Sequence, residues 1–105
     1  MAACLMLTTA GSEREARKLA RALVDRKLAA CVNVIPRIES TYRWKGKVET
    51  AREWLLVIKT SKARVKAVEK AIRELHSYDL PECIVIPIEG GSKAYLGWLT
   101  EQVKG

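Results

Sequence analysis

Three stretches of this chain are unbroken apolar runs, and each has the length of a short β-strand. They are residues 4–7, 54–58 and 83–86. A strand with one face in water alternates apolar and polar residues, whereas a strand buried on both faces reads as a continuous apolar run. The sequence therefore predicts a sheet that is covered on both sides.

Amphipathic helices alternate with the predicted strands. Ser12 and Glu15 have the form of a capping box, which predicts the start of a helix over residues 13–27. A second apolar stripe predicts a helix over residues 62–76, and a short last helix over residues 92–103 follows a glycine-rich turn. Helices with one apolar face are expected to lie on the sheet.

A long hairpin is the largest predicted β feature. Residues 38–44 alternate at strand period, Lys-Gly-Lys at residues 45–47 supplies the glycine of a tight turn, and residues 48–59 return as a strand. Pro36 is predicted to bend or interrupt the first arm. A returning strand of this length at ~3.3 Å per residue spans about 40 Å, whereas a 15-residue helix at ~1.5 Å per residue covers roughly 22 Å. We therefore expect the hairpin to extend beyond the helices.

The element order β-α-β-β-α-β-α indicates the fold class. It contains two βαβ halves, the pattern of an α+β, ferredoxin-like βαββαβ sandwich, here with an extended hairpin and a C-terminal helix. The chain has 105 residues, a length that one hydrophobic core accounts for. Residues 1–105 are therefore predicted to form a single domain.

The second face of this sheet needs a cover that one chain does not supply. Both crossover helices lie on one face in this fold, and the last helix is too short to cover the other. Monomers seldom expose large apolar patches, and a hairpin that carries Tyr42, Trp44 and Trp54 would leave an unpaired aromatic edge. We expect further copies of the chain to complete a closed, symmetric homo-oligomer, since open contacts would propagate into fibres.

The charge of the chain limits the kinds of partner that are expected. The net charge of +7 favours anionic partners by long-range attraction. The basic residues are interleaved with acidic ones, however, and no RNA-binding motif is present. Nucleic acid is therefore not the expected partner.

Cysteine usage and hydropathy predict the compartment. Cys4, Cys31 and Cys83 lie in apolar runs without CxxC spacing, which favours free thiols over disulfides. No apolar stretch approaches the ~20 residues of a membrane span, and the start of the chain lacks a signal-peptide pattern. We expect a cytoplasmic protein without membrane association. Asn33 and Gln102 are the only residues of their types, which favours a heat-adapted, thermostable protein.

Seven short motifs follow one another along nearly the whole chain. They are LAACVN at residues 28–33, YRWKGK at 42–47, KT at 59–60, HSYD at 76–79, LPE at 80–82, PI at 87–88 and YLGWL at 95–99. Each motif alone is short, but all seven stand in the correct order and spacing. On these motifs the sequence resembles the CutA family, the divalent-cation tolerance proteins.

The resemblance implies an assembly and a cellular role. It implies a ferredoxin-like subunit, a tight homotrimer joined by the long hairpin strands, and a link to copper and other divalent metals, without an organic cofactor. One departure is that Ser77 stands where the family usually has proline. The predicted trimer interface includes Tyr42, Trp44, Trp54, Lys59, Tyr95 and Trp98.

A metal site is the sharpest functional prediction. Cys31 and His76 match positions that the resemblance associates with metal, and a thiolate with an imidazole suits Cu(I), Cu(II) or Zn(II). One subunit does not hold enough ligands, so Glu53 or Glu82 is predicted to complete the site across a subunit boundary. The structural alternative is that Cys31 is a buried free thiol and that His76 only hydrogen-bonds a carbonyl at a helix end.

Other interpretations stay open. Glu53 and Lys59 flank the apolar run at residues 54–58 and can form an inter-subunit ion pair instead. The alternative function is a signalling or scaffold trimer that binds a small anionic ligand or nucleic acid, with clefts between subunits as the site. Paired carboxylates at telling spacing, a nucleophile elbow and a second histidine are all missing from the sequence, so we do not expect an enzyme.

Overall fold

The computed structural model of the protein describes residues 2–105. These residues form four strands, β1 to β4, at Ala3–Ala10, Cys31–Trp44, Lys47–Ser61 and Ile84–Pro87. They also form three helices, α1 to α3, at Glu13–Asp25, Val65–Leu75 and Lys93–Gln102, with a 3-10 turn at Lys62–Arg64 before α2. The predicted order of elements is confirmed. None of these helices has the length and apolarity needed to cross a membrane.

The four strands form one antiparallel sheet in the order β2-β3-β1-β4. Ser12 caps α1 as predicted, by accepting a hydrogen bond from the Glu15 N–H at 3.1 Å. The buried stripes of α1 and α2 pack with one face of the sheet in a single core made of Met6, Ala10, Ala16, Leu19, Leu23, Ala29, Leu56, Ile58, Val68, Ala71 and Ile72. This strand order, with α1 and α2 on one face of the sheet, is that of the predicted α+β, ferredoxin-like class.

Strands β2 and β3 form the long hairpin. Its two-residue turn places Lys45 at φ 51° and Gly46 at φ 80°, the left-handed values of a type I′ turn, whose twist matches that of the flanking strands. β1 pairs with β3 only as far as Trp54, so the seven residue pairs between Trp54 and the turn have no third strand beside them. This hairpin arm makes the subunit 44 Å long, against 25 and 22 Å in the other directions. The predicted overhang is confirmed.

Pro36 lies inside β2, and the strand continues through it. The pairing register shifts between Ile35 and Ile38, so that Pro36 and Arg37 together oppose the single residue Trp54. Arg37 adopts a left-handed conformation with φ 57°. Such a β-bulge leaves a residue unpaired, which accommodates a proline that has no N–H to donate. The predicted bend is therefore a bulge within one continuous strand.

The second face of the sheet is only partly covered by residues 2–105. α3 lies over one end of it, where Leu99 and Val103 are fully buried. Ile35, Ile84 and Ile86 keep 40–48% of their surface exposed. β4 is only four residues long and exposed throughout, so the burial predicted from its apolar run is not reached within one chain. The prediction of a covering subunit depends on this open face.

Candidate functional site

The segment that leads from α2 to β4 starts at His76, the residue that ends α2. His76 Nε2 lies 2.6 Å from the carbonyl oxygen of Thr9, and Nδ1 lies 3.0 Å from the backbone nitrogen of Tyr78. A carbonyl only accepts and a backbone N–H only donates, so these partners assign the tautomer with its proton on Nε2. Both ring nitrogens of His76 are thus engaged inside the subunit.

This arrangement bears on the predicted metal role of His76. A metal ion binds an imidazole through the lone pair of its unprotonated nitrogen. That lone pair belongs to Nδ1, which already accepts the Tyr78 N–H, and the side chain is completely buried. His76 therefore does not fit a metal site in this arrangement. It fastens the end of α2 to the end of β1.

Glu15, on α1, holds the start of the same segment by hydrogen bonds. The N–H and the hydroxyl of Ser77 donate to its two carboxylate oxygens at 2.8 and 3.1 Å. Burial raises the pKa of the Glu15 carboxyl, but the hydrogen bonds from Ser77 outweigh burial and hold that pKa below its ordinary value. Serine at position 77 supplies both donors, whereas a proline there would supply neither. We call His76, Ser77, Glu15 and Thr9 the His76 corner.

Tyr78 carries the segment from the His76 corner to the hairpin. Its ring centroid lies 4.5 Å from that of His76, and its hydroxyl donates to Glu53 Oε2 at 2.8 Å. Burial, and then the hydrogen bond to Glu53, raise the pKa of Tyr78 above its ordinary value, so the phenol remains a donor at neutral pH. A Cβ at Gly11 would lie 2.9 Å from the Tyr78 hydroxyl oxygen, so this approach requires the glycine.

Glu53 and Glu82, the two predicted carboxylate ligands, lie near each other within one subunit. Glu53 is buried, with 8% of its surface exposed. Its hydrogen-bond donor among residues 2–105 is the Tyr78 hydroxyl, and none of the lysines and arginines in that range pairs with it. Burial, and then the charge of Glu53, raise the pKa of the Glu82 carboxyl. This part of the molecule is therefore a region of negative potential.

A cleft of about 730 Å³ lies between the hairpin arm and the segment after α2. We call it the hairpin cleft; it is lined by Thr9, Ser40, Thr41, Tyr42, Trp44, Glu49, Glu53, Tyr78, Asp79, Leu80, Pro81 and Glu82. Its charged lining residues are all carboxylates. The sequence interpretation missed this cleft because its two walls come from separate parts of the chain. One usable signal was the strand alternation that puts Glu49 and Glu53 on one face of β3, with Tyr42 paired to Glu49 and Trp44 on the same face of β2.

Cys31 lies far from the hairpin cleft. It begins β2 opposite Lys59, and its Sγ lies 4.0 Å from Asn33 Oδ1. Along β3, the distance from Lys59 to Glu53 at ~3.3 Å per residue is about 20 Å. Among the described residues 2–105, no group of three or more His, Cys, Asp or Glu side chains is arranged to hold a metal ion. The four predicted ligands thus do not meet within one subunit, nor do Glu53 and Lys59 pair there.

The residues predicted at the trimer interface lie in different surroundings. The hairpin aromatics line the cleft and are about two-fifths exposed. On α3, Tyr95 and Trp98 stack at 5.5 Å between ring centroids, and Lys59 Nζ lies 5.6 Å from the Tyr95 ring. Trp54 instead packs against the core beneath α1 and α2. An inter-subunit role for these residues stays a prediction, since a single chain is described.

Comparison with known proteins assigns the family. Residues 4–102 match the model of the CutA1 divalent ion tolerance protein family. The Protein CutA homolog of Xenopus laevis is 48% identical over 95 residues, which are 90% of this chain and 63% of that protein. The divalent-cation tolerance protein CutA of Thermus thermophilus is 42% identical over 97 residues, 92% of this chain and 94% of that protein.

A solved structure supports the same assignment. The divalent cation tolerance protein (Cut A1) from Thermus thermophilus superposes with a TM-score of 0.95 at 40% identity, covering 97% of this chain and 99% of that one. The chain spans between 51% and 63% of the length of five vertebrate and plant relatives. The resemblance in the seven motifs is therefore confirmed, and the chain belongs to the CutA1 divalent ion tolerance family.

Proposed function

We propose that the protein works as a homotrimer in tolerance of divalent metal ions, copper among them, and that it binds such ions weakly at positions shared between subunits. The observation that carries the assembly is the hairpin arm, whose seven residue pairs have no third strand beside them. Free strand edges with aromatic side chains are completed by partners in soluble proteins. The role in metal tolerance comes from the family and from the names of the relatives.

The open sheet face supports the same assembly. Ile84 and Ile86 on β4 are exposed next to Leu5 and Leu7 on β1. α3 covers the end of this face next to Lys59 and presents Tyr95 and Trp98 to solvent. A neighbouring subunit that packs against this face would bury its apolar surface, and each Å² buried stabilises the assembly by about 25 cal/mol.

Sedimentation equilibrium at micromolar concentration tests the assembly. We expect a mass of three chains, each of 11.8 kDa. Ile86→Lys places a charge on the open face and is expected to weaken association. Val24→Lys is the matched control, because Val24 is as exposed as Ile86 but lies on α1 in the helix layer. A wild-type chain that sediments as a single subunit would refute the trimer.

Weak metal binding is proposed at Cys31 rather than at His76. Cys31 has a free thiol on the open sheet face, where a neighbouring subunit can add ligands. Thiolate is the ligand class that copper(I) and zinc prefer. His76 has no nitrogen free for a metal in the described arrangement. Low affinity is expected because one subunit contributes a single soft ligand.

Anaerobic titrations with zinc(II) and with copper(I) test this site. We expect Cys31→Ala to abolish or strongly weaken the binding, since it removes the soft ligand. Cys83→Ala is the matched control, because Cys83 is also a free, partly buried thiol but packs against the core. Equal binding by both variants and the wild type would remove the proposed site.

The alternative function, binding of a small anionic ligand or nucleic acid, is not favoured by the hairpin cleft. Its charged lining residues are carboxylates, which repel anions.

A non-enzymatic role and a cytoplasmic location stay part of the proposal. Fractionation of source cells with an antibody to the chain tests the location.

A further inference from the structure

The net charge of the chain is concentrated on the helix layer, the face of the subunit that α1 and α2 form. Residues 13–27 and 62–75 carry 11 of the 19 lysines and arginines but only 5 of the 12 acidic residues. These two segments therefore account for +6 of the net charge of +7, and the rest of the chain is nearly neutral. The helix layer is a region of positive potential.

Both helices carry an exposed stripe of three cations at positions i, i+4 and i+7, the spacing of one helical face. The stripe residues are Arg14, Lys18 and Arg21 on α1, and Lys66, Lys70 and Arg73 on α2. The buried residues of both helices lie on the opposite side, in the core against the sheet. The stripes therefore face away from the sheet.

The two stripes lie side by side on antiparallel helices. The start of α1 meets the end of α2, where the Ser77 N–H donates to Glu15 at 2.8 Å. The end of α1 meets the start of α2, where the Thr60 hydroxyl donates to the Leu28 carbonyl at 2.6 Å. α1 has 13 residues, which at ~1.5 Å each give a length of about 20 Å. We call the surface formed by the two stripes the basic platform.

The cations of the basic platform are placed at a cost to the helices. Within residues 2–105, Arg21 is the one stripe residue that forms an ion pair. Arg14 and Lys18 are four residues apart, as are Lys66 and Lys70, and like charges at this spacing destabilise a helix. α2 also lacks an acidic residue in its first turn, where the helix dipole is positive. Helix stability does not explain this arrangement, whereas a bound polyanion relieves the repulsion.

The basic platform stays accessible in the proposed assembly. Neighbouring subunits are proposed to cover the open sheet face, and the helix layer is the opposite face of the same sheet. In a closed trimer the three platforms then point away from the shared centre in three directions. A flat membrane surface does not meet all three together, whereas a flexible chain that bends around the trimer can bind several platforms at once.

The chemistry of the basic platform favours a polypeptide over nucleic acid or lipid. The tyrosines and tryptophans lie on β2, β3, α3 and the segment after α2, so the platform has no aromatic ring on which a base could stack. Membrane-surface helices insert apolar side chains, but Val24 is the only large apolar residue exposed on α1 and α2. Arginine and lysine bind carboxylates by charge-assisted hydrogen bonds.

We infer that the basic platform docks an acidic, unstructured polypeptide segment, whose carboxylates bind the stripe cations of α1 and α2. This partner goes beyond the metal-related role proposed above, and only the outward direction of the platform rests on the proposed assembly. The attraction is between exposed charges, so the affinity falls steeply as the salt concentration rises.

Fluorescence anisotropy of a labelled polyglutamate peptide with the assembled protein tests the inference. A peptide of about 20 residues is long enough to cross the platform. We expect binding at low salt. The triple variant Lys18→Gln, Lys66→Gln, Lys70→Gln should weaken it about tenfold or more, because it removes three of the exposed cations. Its thermal midpoint should equal or exceed that of the wild type, since repulsion between Lys66 and Lys70 is relieved.

A second triple variant is the matched control. Lys45→Gln, Lys47→Gln, Lys93→Gln removes the same charge from exposed lysines at the hairpin turn and the start of α3. It should leave the affinity for polyglutamate within about twofold of the wild type, because charges outside the platform act only at long range. An equal loss in the two triple variants would show that net charge alone matters and would overturn the docking surface.

Two other polyanions separate the classes of partner. An oligothymidylate of the same length and vesicles of phosphatidylserine are titrated under the same conditions. Tighter binding of either one than of polyglutamate would overturn the inference, as would the absence of polyglutamate binding at low salt. Sedimentation equilibrium of the same samples measures the assembly separately, so failure of the trimer and failure of this surface are distinguishable.

Discussion

The His76 corner and the hairpin cleft are neighbours that share the segment after α2, yet their polar groups differ in how many hydrogen-bond partners they have. In the corner, both nitrogens of His76 and both oxygens of Glu15 have partners in the subunit. In the cleft, Glu53 has a single neutral donor within residues 2–105. A saturated group stabilises the fold, whereas an unsaturated one is available to a ligand. Residues of the single motif HSYD at 76–79 can therefore have different functions, His76 in the corner and Tyr78 at the cleft.

The largest expected effect is that of His76→Ala on stability. It leaves the Thr9 carbonyl and the Tyr78 N–H without partners, at roughly 1–3 kcal/mol each, and opens a cavity, so we expect a loss of about 4 kcal/mol in the free energy of unfolding. Urea unfolding at pH 7 measures it. His76→Gln, which can donate and accept, should lose less. A His76→Ala protein as stable as the wild type would mean that the corner is not structural.

A smaller effect is expected where the two regions meet, at Gly11. In Gly11→Ala the new methyl would lie 2.9 Å from the Tyr78 hydroxyl oxygen and push the ring away from Glu53. We expect a loss of about 2 kcal/mol, typical of overpacking. Gly97→Ala is the matched control, because Gly97 lies in α3 with open space around it and helical alanine is favoured over glycine. Equal stability of the two variants would contradict the close approach of Tyr78.

The smallest effect is a difference in pH dependence between Glu15 and Glu82. The pKa of Glu15 is lowered, so its stabilisation is present above the ordinary value of 4.5 and is lost as the pH falls through the lowered pKa. The pKa of Glu82 is raised, so its contribution is present below 4.5 and is lost as the pH rises through the raised pKa.

Glu15→Gln should therefore destabilise the protein at pH 7, and Glu82→Gln should stabilise it, each by about 1 kcal/mol or less. Both differences should shrink as the pH falls below 4.5, the ordinary carboxyl pKa. Thermal unfolding between acidic and neutral pH measures them. Changes of the same sign in the two variants would remove the distinction between corner and cleft.

The fold could be predicted from the sequence because its signals are local. Residue periodicity separates helices from strands, and the turn at Lys45 and Gly46 needs only two adjacent residues. The bulge was harder to predict, because a proline signals an interruption without showing whether the strand resumes. The interface role predicted for Trp54 stays a prediction, since within one chain its ring is partly buried against the core.

The candidate site could be predicted only in part because its contacts join distant residues. Glu15 meets Ser77 across 62 positions, and Tyr78 meets Glu53 across 25. Residue type alone made His76 a candidate ligand, but its lone pair is engaged by the backbone of Tyr78, which only the folded chain shows. Seven motifs in order were sufficient for the family and insufficient for the role of each residue.

The bulge at Pro36 and Arg37 sets the chemistry of the cleft wall. Strand side chains alternate between faces, so one additional residue reverses which half of the following arm faces a given side. With the bulge, Tyr42 pairs with Glu49 and lines the cleft. If the same residues of β2 paired one to one with β3 from Ile35 onward, without the bulge, Arg43 rather than Tyr42 would face that side, and its guanidinium would neutralise the acidic wall. The bulge thus determines whether the carboxylates of this wall stand beside aromatic rings or beside an arginine.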